Sequence, residues 1–403
     1  MKLVLTIISS LICCSSSFGQ TPNFPVGNPT GTAGTGNAIT DSDNFFMRNN
    51  IAGLTEIPLN EEEEITRVKT KANKGSWRFN GELQLLAFRF LDRPSFNSDV
   101  VANGTTLTPN FAGEITYTSS DHRFGFGIGT YQIINFNYRA LTPSEIPPFD
   151  QNVQESRYVN TDIVVAGALR VHKKLSVGLG IIFSRGSLND IFGFRSSQRD
   201  PEFLLLETSV DGVGATRANI GIHYRPTNFL SLGINYRSRR KYTLLGERTN
   251  LSDGKLINRS PARIKLSVPS MLEAGIEVKP YRKLLLSCDF RYYDYSVGQP
   301  LEGFAADIQS FFGGLKYSLT DRTTAMFGVT TSCANGRDGC FRSFGAIGTG
   351  ISGGVGYRFR SNRSLSLAFT AFPGTTPKGT FDRNLGLSQE RGFLFSIGFQ
   401  TRQ

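Results

Sequence analysis

From Phe79 onward the chain alternates apolar and polar positions. Phe79, Gly81, Leu83, Leu85 and Ala87 hold one parity, and Arg78, Asn80, Glu82 and Gln84 fill the other. Leu230, Leu232, Ile234 and Tyr236 stand in the same way against Ser231, Asn235, Arg237 and Arg239. Leu284, Leu286, Cys288, Phe290 and Tyr292 stand against Ser287, Asp289 and Arg291, and Phe393, Phe395, Ile397 and Phe399 close the chain. A period of two with one apolar face marks a strand lying between two different environments.

About fourteen such segments follow one another by this criterion. They centre on Leu83, Ile115, Ile128, Val165, Leu179, Ile220, Ile234, Ile276, Leu286, Leu315, Phe327, Val355, Leu367 and Ile397. Their connections alternate in length. Short ones fall at 119–122, 171–174, 225–228, 279–283, 319–321 and 361–363. Long ones fall at 91–107, 137–154, 186–202, 246–261, 296–306, 332–343 and 372–389. A soluble sandwich has no reason to keep that rhythm. An antiparallel transmembrane barrel, with tight turns at one rim and loops at the other, requires it. The expected fold is therefore all-β: a 14-stranded antiparallel transmembrane β-barrel.

Residues 21–76 precede the first strong strand and hold neither period for long. The stretch from Gly31 to Pro58 is rich in Gly, Asn, Asp and Thr. A bore of this width needs an obstruction. An irregular segment at membrane depth also needs protein around its backbone polar groups. Both arguments place 21–76 inside the barrel as a plug, with 77–403 as the wall. Residues 1–20 read as a secretory signal: Lys2, an apolar run from Leu3 to Ile12, then small residues from Ser15 to Gly19.

Composition sharpens this picture. Phe 32 and Tyr 13 beside Trp 1 suit aromatic girdles at the membrane boundary. The formal net charge of +11 is spread over strand ends, such as His172-Lys173-Lys174 and 279–283, and forms no nucleic-acid patch. The surplus also suits an anionic ligand or lipid head group. The three histidines, His122, His172 and His223, have no nucleophile or carboxylate at a supporting spacing, so no enzyme is expected. Gly345 to Gly350 mimics a dinucleotide loop but leads into an alternating strand, not a helix. Glu61 to Glu64 reads as a solvated acidic linker without calcium-loop spacing. No metal or cofactor is expected.

Phe45 and Phe46 in the plug, with Ile191, Phe192, Phe194 and Phe203 around the third long connection, either line an apolar ligand site or pack the loops. Arg237 and Arg239, of lumen parity, either pair with a carboxylate head group or with Glu273, Glu277 or Asp289 across the wall. Cys333 and Cys340 share one outer connection in an oxidising compartment, which suits a disulfide. Cys288 has outward parity.

Asn50-Ile51-Ala52-Gly53-Leu54 follows a run of small residues (Gly31, Ala33, Gly36, Ala38) and Asp41 and Asp43. With Tyr236-Arg237-Ser238, Leu266-Ser267-Val268-Pro269 and the strand from Leu284 to Ser296, it resembles the FadL family of outer-membrane transporters for long-chain fatty acids and other hydrophobic compounds. The resemblance implies a barrel plugged by an N-terminal hatch, with Asn50 to Leu54 in the place of the family's Asn-Pro-Ala motif. It also implies passive uptake of a hydrophobic ligand by a monomer in a Gram-negative outer membrane. Ile51 stands where the family has proline, and Gln400 to Gln403 extend beyond the closing aromatic, Phe399. The other readings are a general porin and a secretion-associated scaffold barrel.

Overall fold

The computed structural model describes residues 46, 49–55, 75–92, 102–144, 149–196, 203–214, 216–252, 255–294, 308–334, 348–360, 363–372 and 389–402. The first strands are β1 Ser76–Asp92, β2 Ala102–Thr118, β3 Phe124–Pro143, β4 Gln151–His172 and β5 Leu175–Arg195. There follow β6 Phe203–Val213, β7 Arg217–Thr227, β8 Leu230–Arg237, β9 Arg240–Ser252, β10 Lys255–Val268 and β11 Ser270–Tyr281. The chain closes with β12 Leu284–Asp294, β13 Ile308–Ser318, β14 Thr323–Ala334, β15 Gly348–Arg360, β16 Arg363–Phe372 and β17 Gln389–Arg402.

All seventeen segments belong to one antiparallel sheet. Three wall strands are each built from two collinear pieces. The outer half of β5 pairs with β6 and its inner half with β7, so β6 and β7 run end to end. The segments β9 and β8 then pair with β6 and β7, and β10 and β11 with β9 and β8. The breaks lie at 214–216, at Ser238-Arg239 and at Pro269, which has no N–H to give a ladder. With each collinear pair counted once, the wall is a closed barrel of 14 strands, sealed where β1 meets β17. All fourteen sequence-derived centres fall on different wall strands. The residues beyond Phe399 continue this seam, with Arg402 opposite Arg78.

The polarity of a soluble protein is inverted. Leu179, Ile128, Phe327 and Ile351 are exposed on the outside, while Asn80, Glu82, Asp162, Asn235, Glu273 and Arg291 are buried inside. An apolar belt that no protein covers has lipid as its solvent. Trp77, Tyr117, Phe124 and Phe126 cluster at the rim of the tight turns, with Trp77 and Tyr117 centroids 5.1 Å apart. One of these turns is tied by the Asp121 carboxylate, which accepts from the Ser119 hydroxyl at 2.6 Å and the Arg123 N–H at 3.1 Å. The Ser119 hydrogen bond is the main cause of an Asp121 carboxyl held below its ordinary range. His122, at φ 54, turns the corner.

The outer rim departs from the sequence expectation. The stretches 137–154, 186–202 and 246–261, expected as loops, are largely strand: β3 runs to Pro143, β5 to Arg195, and only two residues join β9 to β10. The reason is that β4, with 22 residues, is about 70 Å long at ~3.3 Å per residue, far more than a membrane crossing requires. Above the belt both faces of the wall meet water, so the apolar–polar contrast that marks a membrane strand disappears while the hydrogen-bond ladder continues.

One seam is incomplete. The β2–β3 ladder is formed only between Ala112–Thr118 and Gly125–Tyr131. Beyond it, β2 stays paired with β1 up to Ala102 and β3 with β4 up to Pro143. A bulge between Gln132 and Ile134 turns β3 away at this point. The N–H of Phe111, aimed at β3, is taken instead by the Gln132 side-chain oxygen at 3.3 Å. Two residues further out, the position whose N–H would point the same way is Pro109, which has none. The open edge of β2 is thereby blunted.

On the lipid face, Ile234→Arg, in the middle of the Leu230–Tyr236 belt, is expected to cost about 2–4 kcal/mol, whereas Leu245→Arg, above the belt on β9, is expected to cost no more than about 1 kcal/mol. Reversible denaturant titration of the barrel refolded into lipid vesicles reads both.

Candidate functional site

Inside the barrel, Ile51–Thr55 forms a single 3-10 turn whose five residues are all buried. The Asn50 side chain caps it: its Oδ1 accepts from the Ala52 N–H at 3.1 Å, and its backbone oxygen accepts from the Gly53 N–H at 3.0 Å. The Asn50 Nδ2 is then free to reach outward into the wall. It donates to the carbonyls of Ile222 at 3.0 Å and Ile234 at 3.3 Å, two residues directly opposite on β7 and β8. A side chain with a donor and an acceptor on one short stem is needed for both jobs.

The seat is made of absent side chains. A Cβ on Gly221 would lie 2.2 Å from Asn50 Oδ1, one on Gly178 2.7 Å from Ala52 N, and one on Gly125 2.3 Å from the Leu54 oxygen. Three wall strands thus present bare backbone where the turn docks. At its far end Thr55 donates to Ser176 Oγ at 2.8 Å, Thr118 donates to the Leu54 oxygen at 2.8 Å, and Arg170 donates to the Thr55 oxygen at 2.5 Å. Ile51, in the proline position of the sequence motif, is fully buried, and its Cγ1 and Cδ1 approach Gly178, Gly180 and Gly221.

An apolar cluster surrounds the turn within an otherwise polar lumen: Phe46, Ile51, Leu54, Tyr131, Val164, Ala166, Ala168 and Ile182. Glu114 organises its edge. Its carboxylate accepts from the Phe46 N–H at 3.2 Å, Asn80 Nδ2 at 2.8 Å and the Tyr131 hydroxyl at 2.7 Å. The Arg78 guanidinium lies 4.7 Å from the Phe46 ring centroid. Tyr131 is also the last paired residue of β3 before the open seam, so this cluster ends at the gap in the wall.

Outward of the turn the lumen is charged. Arg240 and Asp162, both buried, pair at 3.3 Å, and Ser184 donates to the same Asp162 oxygen. Glu273 takes Arg291 at 2.5 Å, Arg237 at 4.0 Å and the Asn235 amide at 3.1 Å. Arg239 binds Asp294, 3.6 Å to the carboxylate and 2.9 Å to the backbone oxygen. Buried pairs of this kind cost desolvation and survive only with further hydrogen bonds, which Glu273 and Asp162 have.

The aromatic candidates separate. Phe192 and Phe194 lie on the lumen parity of β5, 5.8 Å apart edge to face, and Phe194 packs on Phe149 at 5.7 Å. Ile191 shares the outward parity of Arg185, Ser187 and Asn189, so it does not line the lumen with them. Phe46 is in the buried cluster. Phe45, the side chain of Phe203, the Cys333–Cys340 pairing and Glu61 to Glu64 lie outside the described residues. Among the described residues no cluster of metal-ligating side chains occurs. Sequence reasoning passed over Glu114, Tyr131 and the three seat glycines. Their inward parity was readable, but their convergence on one turn needed the closed barrel. Arg240 was hidden because the break at Ser238-Arg239 moves the alternation on by one residue.

Comparison with known proteins agrees with this architecture. Residues 12–332 match the family described as Outer membrane protein transport protein (OMPP1/FadL/TodX). The fold is similar to that of a Pseudomonas aeruginosa FadL homologue, with a TM-score of 0.66 at 15% identity over 92% of this chain and 98% of that one. It is similar to the Pseudomonas putida toluene transporter TodX, 0.66 at 13% over 93% and 96%. The Ralstonia pickettii toluene transporter TbuX gives 0.62 at 17% over 94% and 97%. At these identities the likeness is one of fold. No curated protein matches by sequence.

The seat makes a direct prediction. Gly221→Ala is expected to weaken docking of the turn by about 1–3 kcal/mol, the scale of overpacking. With Thr55→Cys as the only cysteine, maleimide labelling from water should accelerate in the Gly221→Ala protein. It should be unchanged in Gly113→Ala, where the nearest atom lies at 3.9 Å.

Proposed function

The chain belongs to the OMPP1/FadL/TodX family of outer membrane transport proteins, and from that premise we propose that it takes up long-chain fatty acids or related hydrophobic molecules by an energy-independent route that leaves sideways through the wall. Its family consists of transporter channels of the Gram-negative outer membrane, not enzymes. The observation that carries the proposal is the apolar cluster of Phe46, Tyr131, Val164 and Ile182. It sits inside a polar lumen and ends beside the only seam whose ladder is open among the described residues.

The hatch turn docks inside the lumen on β3, β5 and β7, which favours this reading over a general porin. A hydrophobic molecule gains nothing by crossing to the aqueous side; its favourable destination is the lipid outside the gap. The driving force is transfer of apolar surface out of water, roughly 25 cal/mol per Å², and no energy input is needed. Phe192 and Phe194, on the lumen face of the outer wall, supply the first apolar contacts on this path. The hatch, residues 21–76, acts as the gate, and residues 1–20 direct export before the barrel inserts.

The test closes the gap reversibly. In a protein with Cys288, Cys333 and Cys340 changed to serine, Phe111→Cys and Gln132→Cys are bridged with a cleavable bifunctional thiol reagent. Uptake of labelled oleate and toluene by cells depending on this barrel should fall about tenfold, equivalent to ~1.4 kcal/mol on the barrier, and recover on cleavage. Unchanged uptake in the bridged protein, or ready passage of sugars through the unbridged one, refutes the proposal.

A further inference from the structure

We infer that the rim of tight turns is a ring-shaped binding surface for the anionic glycerophospholipids of the leaflet it borders. This surface belongs to the outside of the barrel and is independent of what the lumen carries.

The six tight turns share a composition. Across 119–123, 172–174, 225–229, 279–283, 319–322 and 358–363, eleven Lys and Arg stand against two carboxylates, Asp121 and Asp321. Arg123 pairs with Asp121 at 3.7 Å, both exposed. Lys173, Lys174, Lys283, Arg322 and Arg363 have no carboxylate partner among the described residues. The ladder then brings like charges together. The Arg225 N–H donates to the Lys174 oxygen and the Arg358 N–H to the Arg322 oxygen, each at 2.8 Å. Like charges on directly neighbouring strands are destabilising by themselves, so the rim calls for a counter-charge.

Each turn also exposes an apolar side chain in or beside its run of cations. These are Phe124, Val171, Phe229, Tyr281, Leu319 and Phe359, with Tyr281 74% exposed. Trp77 adds another where β1 starts. Solvation accounts for cations at strand ends. It does not account for an aromatic or aliphatic side chain set among them at every turn. A membrane interface accounts for both: the apolar groups enter the acyl boundary, while the long Lys and Arg stems carry their charges to the head-group layer.

Position and shape select the lipid. The tight turns of an outer-membrane barrel lie at its periplasmic end. Here they join β2 to β3, β4 to β5, β7 to β8, β11 to β12, β13 to β14 and β15 to β16, so the cations run round the whole circumference. A protein partner covers one side of a rim, whereas lipid surrounds it. A zwitterionic head group carries its own ammonium beside the phosphate. A phosphatidylglycerol-type head group carries the phosphodiester charge alone, and a ring of cations favours it.

The test places one reporter on the ring. In the full chain, Trp77→Phe removes the single tryptophan, and Tyr281→Trp sets one beside Arg282 and Lys283. The protein is reconstituted in phosphatidylcholine vesicles with increasing fractions of dibrominated phosphatidylglycerol or dibrominated phosphatidylcholine. Quenching of the tryptophan fluorescence then gives the relative affinity of each lipid for that place. Phosphatidylglycerol should be preferred about fivefold at low ionic strength. The preference should fall to near unity in molar salt, and likewise with Arg282→Gln and Lys283→Gln together. Arg263→Gln with Lys265→Gln, the same charge change on the outer part of the wall, should leave it intact. The salt arm needs no variant and decides the matter if the Arg282→Gln, Lys283→Gln protein does not insert. Equal affinity for the two lipids, a preference indifferent to salt or to Arg282→Gln and Lys283→Gln, or one lost equally with the outer pair, overturns the ring. So does a preference that emerges only with Glu61 to Glu64 changed to glutamine, which would assign the ring to the chain's own acidic segment.

Discussion

Every backbone N–H and C=O at membrane depth has to find a partner within the protein, and the rest of this structure follows from that requirement. It closes the sheet where β1 meets β17. It keeps β6 with β7, β8 with β9 and β10 with β11 collinear, so that each break costs only a residue or two of ladder. Even at the breaks the donors are used: the Gly214 N–H reaches the Ser184 oxygen at 2.7 Å, and the Ser238 N–H the Ala218 oxygen at 3.0 Å. The β2–β3 seam is the informative exception. There the first missing rung is replaced by a glutamine side chain, which takes the Phe111 N–H, and the next donor of that edge is absent because position 109 is proline.

Closure also dictates the interior. With lipid outside, the polar residues turn inward, and a lumen lined by Arg, Asp and Glu has to neutralise itself. Register decides how. Glu273 is opposite Asn235 on one side and Arg291 on the other, so its two partners arrive as cross-strand neighbours. The hatch turn follows the opposite strategy, docking where the wall has no side chains at all. Gly125, Gly178 and Gly221 lie on β3, β5 and β7, and Asn50 hydrogen-bonds directly to wall carbonyls. The turn is thus held by contact with bare backbone and by a few hydrogen bonds, each worth about 1 kcal/mol net. The chain does not need a proline to fix this turn. The Asn50 cap sets its geometry, and the Ile51 side chain fills the space over the glycines.

Much of the barrel was legible because the two-residue period reports the difference between lipid and lumen, and within the belt nothing else competes with it. Leu230 to Tyr236 could be assigned to the wall residue by residue. The same logic explains where legibility ended. Above the belt, 186–202 and 246–261 have water on both faces, so the period fades although the strands continue. Within the site, single-strand parity gave Arg237 its inward direction but could not say that Glu273 and Arg291 would meet it. Ile191, Phe192 and Phe194 were grouped as residues around one outer connection, whereas in a strand running to Arg195 Ile191 faces the opposite way from the two phenylalanines. The gap was partly written in the chain as Pro109. A proline in a strand has several meanings, however, and only the missing rungs beyond Ala112 select one.

The charged and apolar features of the lumen are then parts of one gradient. From the outer wall inward along β5 a molecule meets Phe194 and Phe192, next Ser184 beside the Arg240–Asp162 pair, then Ile182 beside Arg217, and finally Gly178 under the hatch turn. At Glu273 and Asp162 each carboxylate takes more than one donor, so the charged level draws its partners from within the wall. The apolar cluster around Ile182 lies inward of that level, on strands that lead to Tyr131 at the open seam. The apolar side chains that pack around the hatch turn are therefore gathered at the level where the wall opens.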